Sequence, residues 1–334
     1  MKAVVLEKIN TPLLVEEIGL TNLDVGQVLV KVLVSGLCGA QLQEIAGLKG
    51  NAKFTPHLMG HEGCGIVQEV GAGVTRVKKG DKVIMHWRKG EGIEAPFPRY
   101  KLNDTFITSG KVTTLSEYSI ASENRLTVVP QSTPNELCAL LGCGLSTALG
   151  IINNDANIKF GETVLVIGCG GVGLNVLMAA NLASAGNTYG ADIEIEKKSM
   201  VEDFGGIFIT STKDIPEKID CIIDTTGSMQ IVSNYLPFLS SRGRCIIVSQ
   251  PKENSALTIT NPANFFAGNG QIIRTTQGGN VNPSDDFIRY VNLYNKVNYK
   301  LDKLVTHTFE LEQINTAVEV LRSGKAGRIL INIS

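Results

Sequence analysis

This 334-residue chain has no excess of either charge, with 31 lysines and arginines standing against 32 aspartates and glutamates. So even a balance gives no electrostatic case for nucleic acid or an anionic membrane as partner. Long hydrophobic runs are missing as well. The best candidate, VLVIGCGGVGLNVLMAA, is cut by glycines and falls short of the ~18 apolar residues that a membrane span requires, so none is expected. MKAVVLEKIN begins at once as a short strand, without a basic segment and a long apolar core behind it, which predicts no signal peptide and a cytoplasmic location. A disulfide framework is excluded too. Seven cysteines are scattered along the chain, and the odd number agrees with a reducing compartment. Internal repeats and low-complexity tracts are absent.

What is present changes character along the chain, whose length allows two domains at roughly 100 to 200 residues each. Up to about residue 130, short period-two runs such as QVLVKVLVS, GCGIVQEV, DKVIMHW and LSEYSIA are parted by Gly, Pro and Asn turns, the pattern of an all-β half. From ELCALLGCGLSTALGIINN onward, helical periods alternate with the buried runs TVLVIG, NTYGAD, GIFIT, DCIIDTTG and RCIIVSQ, which predicts βαβ units and a parallel sheet. After about residue 280 a helix, a strand, a helix and a strand return to α+β character, and this tail is expected to rejoin the first half. The expected fold class is α/β: a doubly wound parallel sheet over residues 144–280, and a mainly β domain over 1–143 and 281–334. Between GIFIT and DCIIDTTG, STKDIPEK is too short for a full crossover helix and predicts one abbreviated layer.

TVLVIGCGGVGLNVLMAA reads as strand, glycine turn and helix. Gly168, Gly170 and Gly173 have the GxGxxG spacing, with Gly171 and Val172 inside the turn; such glycines permit a tight turn, close approach of a pyrophosphate, and packing of helix on strand. The following helix N-terminus offers unpaired N–H groups to phosphate. Asp192, at the end of the next strand, is placed to accept ribose hydroxyls and would repel a 2′-phosphate, so NAD is expected rather than NADP. Lys197 could also reach the ribose. The plainer reading is a packing turn with a surface aspartate and solvated lysines.

SGLCGAQLQEI puts Cys38 just past the strand QVLVKVLVS, GHEGCGIVQEVGAGVTRVKKGDKV follows with His61 and Glu62, and LGCGLSTALG brings Cys143. Over nearly its whole length the chain resembles the zinc-dependent medium-chain dehydrogenase/reductases, the alcohol and polyol dehydrogenase group. The resemblance implies a GroES-like catalytic domain beside a Rossmann domain, and one catalytic zinc per chain held by Cys38, His61 and Cys143, with Glu62 as a transient ligand or supporting carboxylate. Two thiolates and an imidazole would leave zinc a fourth position open. Each residue alone has a plain alternative: a small core cysteine, a structural histidine, a buried acid paired with an arginine. The resemblance also puts Thr147, Val248 and Ser249 around a nicotinamide, Arg328 at the pyrophosphate, and Trp87 in the substrate pocket. It implies a small alcohol or ketone substrate and a homodimer or homotetramer.

The chain departs from that family pattern in several places. Ala40 and Gln41 stand where a proton-relaying Ser or Thr and a histidine-orienting Asp are usual, and Gln43 stands where some relatives end the relay with a histidine. Alanine cannot move a proton, and a neutral amide is a weaker partner for His61 than a carboxylate. No cysteine lies between Cys64 and Cys138, so a structural zinc with four clustered cysteines is not expected. In its place HWRKGEGIEAPFPRYKLNDTFITSGKVTT reads as a long connection, either functional or mobile. Arg88, beside Trp87, could meet an anionic substrate, against the alternative that the stretch is solvated. The expected activity is hydride transfer between NAD and a secondary alcohol, polyol or sugar-like compound; a zinc-free quinone or enoyl reductase and a non-catalytic nucleotide-binding protein remain as alternatives.

Overall fold

Alternating apolar runs parted by turns build the first part of the chain. The computed structural model describes residues 1–50, 52–215, 218–267, 270–297 and 299–333, and the chain divides into two compact units, Met1–Cys143 with Asn282–Ser334, and Gly144–Val281. The first unit opens with strands β1 (Lys2–Leu6), β2 (Leu14–Glu17) and β3 (Gln27–Leu37), helix α1 (Gly39–Ile45), and strands β4 (His57–Leu58), β5 (Glu62–Val70) and β6 (Lys82–His86). There follow β7 (Arg99–Leu102), β8 (Thr105–Thr108), β9 (Tyr118–Ser122), β10 (Leu126–Val129) and helix α2 (Asn135–Leu141). β3 shows why alternation matters. Val28, Val30 and Val32 are fully buried in one core, while Leu29 packs with Ala3, Val5 and Ile120 in another. A strand covered on both faces gains about 1.5 to 3 kcal/mol for each valine it buries completely.

The stretch read as a long connection after His86 is partly regular. β7 and β8 form an antiparallel hairpin in which Leu102 faces Thr105, turned at Asn103 with φ 54°. β8 pairs with β4, which joins the hairpin to the sheet of order β2-β1-β4-β8-β7.

The second unit comprises α3 (Gly144–Gly150), β11 (Val164–Ile167), α4 (Gly171–Leu182), β12 (Thr188–Ala191), α5 (Lys198–Asp203), β13 (Ile207–Ile209), β14 (Ile219–Asp224), α6 (Met229–Tyr235), β15 (Leu239–Ile247), α7 (Pro262–Ala267) and β16 (Ile272–Thr275). Its strands run parallel in the order β13-β12-β11-β14-β15-β16. That order reverses direction beside β11, the topology of a doubly wound nucleotide-binding sheet. Among the described residues the link from β13 to β14 holds only a single helical turn, Thr212–Asp214.

The tail returns to the first unit with α8 (Pro283–Tyr294), α9 (Leu301–Leu304), β17 (Val305–Glu310), α10 (Ile314–Arg322) and β18 (Arg328–Asn332). β18 pairs antiparallel with β3 and parallel with β17, extending the sheet β10-β6-β5-β3. Among the described residues no single helix is long and apolar enough to cross a membrane.

Candidate metal centre

Three chain turns converge in the first unit. Cys38 leaves β3 in an extended conformation (φ −112°, ψ 153°) and becomes the residue that starts α1. His61 enters β5 from Gly60, whose φ of +97° lies in the region that favours glycine and where a Cβ would also press within 2.7 Å of the Leu115 nitrogen. Cys143 follows α2, which can lie close against β5 because Gly142 has no side chain; a Cβ there would come within 2.8 Å of the Glu62 Cα. The two sulfurs and an imidazole nitrogen then lie within 4.8 Å of one another.

The donor set fits a metal ion. Tetrahedral zinc with bonds of about 2.0 to 2.3 Å holds its ligand atoms roughly 3.5 to 4 Å apart, so the three atoms need to close by only about 1 Å. The hydrogen bond from Cys143 holds the Cys38 thiol well below its usual range, against the opposing effect of burial. The Cys143 thiol is pushed up by that same bond and by burial. At His61 burial opposes charge, yet the hydrogen bond and charge of Cys38, with Glu62 and Glu44, raise its pKa overall.

Of the four residues nominated for metal, Glu62 stands outside the cluster. Its fully buried carboxylate is ion-paired with Arg328, the residue nominated for a pyrophosphate. Burial opposes charge on Arg328, but Glu62, Cys38 and Cys143 together raise its pKa, and its Nε is buried without a partner. Sequence reading did not single out Ser35 and Thr114. Their hydroxyls lie 2.8 Å apart, and Ser35 donates to the Glu62 carbonyl at 3.2 Å, which fixes the backbone next to His61; nothing in the motifs marks such a pair. Gln41 contacts both sides of the cluster. It accepts the Cys38 N–H at 2.9 Å on Oε1, and its Nε2 lies 2.5 Å from His61 Nδ1. Gln43 is half-buried on α1.

Beyond β6, the Arg88 guanidinium lies 5.4 Å from the ring centroid of half-buried Trp87. The other basic residues of this stretch do not gather there. Lys89 reaches Glu94 at 3.8 Å, Arg99 covers the Phe106 ring at 4.4 Å, and Lys111 lies 3.9 Å from Glu94. Glu94 also pairs with Arg125 at 3.0 Å and accepts from Asn124 at 2.8 Å. Glu123 ties the segment down by accepting the backbone N–H groups of Thr75, Arg76 and Ile93 at 2.6 to 2.7 Å.

In the second unit, the turn before α4 is shaped by steric need. Gly168 has φ +87°, and a Cβ on Gly173 would collide with the Gly168 carbonyl. Gly170 precedes the helix, and Gly171 and Val172 form its first turn. Asp192 accepts from the Cys169 N–H at 2.7 Å, the Glu194 N–H at 3.0 Å and Lys197 Nζ at 2.8 Å. Burial opposes its charge, but Lys197 and the two N–H groups hold its carboxyl below the usual range. Lys197 is buried, not solvated. Thr147 is buried on α3, half-buried Val248 follows β15, and Ser249 donates to the Thr225 carbonyl at 2.7 Å.

A mainly β unit carrying a Cys–His–Cys cluster, with a doubly wound parallel sheet in the same chain, defines a zinc-type dehydrogenase architecture. Residues 24–131 match the alcohol dehydrogenase GroES-like domain. Alcohol dehydrogenase 6 of Peromyscus maniculatus is 30% identical over 99% of this chain and 97% of its own length. Among solved structures, an alcohol dehydrogenase zinc-binding domain protein from Burkholderia ambifaria superposes with a TM-score of 0.90 at 24% identity, covering 100% of this chain and 98% of that one. A short chain alcohol dehydrogenase from E. coli CFT073, complexed with cofactor NADH, gives 0.81 at 20% identity over 100% of this chain and 99% of that one. The chain belongs to the alcohol dehydrogenase family, within the medium-chain dehydrogenase/reductases.

Proposed function

We propose that the chain is an NAD- and zinc-dependent dehydrogenase of a small secondary alcohol, polyol or sugar-like compound. The observation that carries this reading is the convergence of two sulfurs and an imidazole within 4.8 Å in a chain of this family. Cys38, His61 and Cys143 would hold the metal; zinc bound there supplies a Lewis acid that lowers the pKa of a substrate hydroxyl. NAD would be the hydride acceptor. Support for NAD comes from the glycine turn, from the Asp192 carboxylate that would repel a 2′-phosphate, and from the NADH bound by a structural neighbour.

In this reading Asp192 and Lys197 bind the ribose hydroxyls, and Gly170, Gly171 and Val172 approach the pyrophosphate. Thr147, Val248 and Ser249 bind the nicotinamide. Glu62 keeps Arg328 charged and fixed. Trp87 and Gln43 line the substrate pocket, and Arg88 would favour a substrate carrying phosphate or carboxylate. Ala40 has no proton to pass, so the hydroxyl proton leaves to water or to another side chain. One zinc per chain, a homodimer or homotetramer, and a cytoplasmic location complete the proposal. The test is a panel of alcohols and aldehydes assayed with NAD and NADP on zinc-loaded protein. NAD-linked turnover of a secondary alcohol or polyol is the expected result. Reduction of quinones or enones with NADPH alone, independent of zinc, would replace this reading with the other dehydrogenase class.

A further inference from the structure

On the side of β18 that faces away from the core lies an open groove. Ile329 and Ile331 belong to the hydrophobic core, so Leu330 and Asn332, the alternate residues of the same strand, share the opposite face. The register carries that face across three strands: Thr308 of β17 stands opposite Leu330, and Val34 of β3 opposite Asn332. Val305, Leu301 of α9 and Tyr294 at the end of α8 join them around a cavity of about 420 Å³ in the first unit, within the ~300 to 1,000 Å³ of small-molecule sites. The Tyr294 ring is held in place. It meets the ring of fully buried Tyr299 edge to face at 5.5 Å, and Tyr299 donates its hydroxyl to the Tyr290 carbonyl at 3.0 Å.

The polar groups at the mouth of the groove favour positive charge. Glu136 of α2 and Asp302 of α9 are exposed there, and among the described residues neither carboxylate is held in an ion pair. Asn332 donates its amide to Glu310 at 3.2 Å, which leaves its oxygen as a further acceptor. No lysine or arginine among the described residues lines the groove. An anion would be repelled. A metal ion would find oxygen only at the rim, above the aliphatic side chains of Val34, Leu301, Val305 and Leu330. A cation that carries its own apolar body suits both parts: the carboxylates and the tyrosine ring attract the charge, and the aliphatic floor takes the body out of water. We propose that this groove, which shares no residue with the metal cluster, is a ligand site for a small organic ammonium ion with an apolar body.

The test is methyl NMR of the leucines and valines in the full chain, titrated with benzyltrimethylammonium, which has no lone pair to offer a metal. The signals of Val34, Leu301, Val305 and Leu330 should shift together and saturate. N-benzylacetamide, a neutral compound of similar size, should bind on the order of 10-fold more weakly, the scale of two exposed charge pairs and a cation–π contact. Glu136→Gln combined with Asp302→Asn should weaken the ammonium ion by the same factor and leave the affinity for the amide unchanged, a difference that lost packing would not produce. No shift at these four residues at millimolar probe would overturn the proposal, as would equal affinity for the two compounds, or an affinity for the ammonium ion that the double variant leaves unchanged. Methyl shifts that follow protein concentration instead of the probe would give the groove to a second copy of this chain and overturn it too. The comparison of the two compounds needs no variant, so the proposal stays falsifiable if the double variant fails to fold.

Discussion

The glycine turn before α4 and the cluster at Cys38, His61 and Cys143 are both built from short motifs, but different forces hold them. The turn is a matter of backbone: Gly168 takes a conformation that side chains disfavour, and Gly173 leaves room for a carbonyl. The cluster is a matter of side chains whose partners come from distant segments. Gln41 orients His61, and Glu62 pairs with Arg328 from 266 positions away. A backbone-built site tolerates change around it and fails when its glycines change. A side-chain-built site can keep its ligands and still differ in how well it binds.

The sharpest way to separate the two is to remove a ligand. Cys143→Ser should abolish zinc binding and activity while leaving NAD binding intact, checked by metal analysis and by cofactor titration. Next in size is Glu62→Gln. It leaves the Arg328 charge buried without its counter-ion, and losing one partner of a buried pair costs about 3 to 5 kcal/mol, measurable by urea unfolding. On the backbone side, Gly173→Ala should lower stability by about 1 to 3 kcal/mol, as overpacking does, and weaken NAD binding without changing zinc content. An unchanged affinity for NAD would break the contrast between the two sites.

Two smaller effects refine it. Asp192→Ala leaves Lys197 buried and unpaired, so the preference for NAD over NADP should fall by about tenfold or more, equivalent to about 1.4 kcal/mol, seen as a ratio of kcat/KM values. Burial, with the charges of Arg125 and Arg88, holds His86 down to about 3 from the ordinary histidine value of about 6.5. The unfolded chain therefore takes up a proton that the folded one refuses. The contribution is complete above pH 6.5 and is lost progressively as pH falls from there to about 3, at up to about 1.4 kcal/mol per pH unit. Unfolding midpoints across that range should be flatter for His86→Gln than for wild type.

The contrast also explains what could be read from the sequence. Spacing and period were enough for the parallel sheet and the glycine turn, because each depends on local backbone or on a short motif, whereas the three residues that meet in the cluster were named through the family resemblance. The β7–β8 hairpin was legible and missed: YKLNDTFIT has alternating residues around Asn103 and Asp104, a sound hairpin signal, hidden by the Gly and Pro residues before it. Of the basic residues that follow Trp87, Arg88 lies over the Trp87 ring, while Lys89 reaches Glu94 and Arg99 covers Phe106, away from it. The plain alternative for Glu62, a buried acid paired with an arginine, is what the structure shows, but which arginine, and the partners of Glu123, were beyond reach, since they come together only when strands far apart in sequence pair. Lys197, for which a solvated helix position was the plainer alternative to reaching the ribose, is buried and paired with Asp192 at 2.8 Å.

The central claim, that Cys38, His61 and Cys143 form a metal centre, is tested most directly by X-ray absorption at the zinc edge of the loaded protein. One zinc per chain should show two sulfur neighbours at about 2.3 Å, with nitrogen and oxygen at about 2.0 to 2.1 Å completing the set. Four sulfurs, no sulfur, or a spectrum unchanged in Cys143→Ser would contradict it.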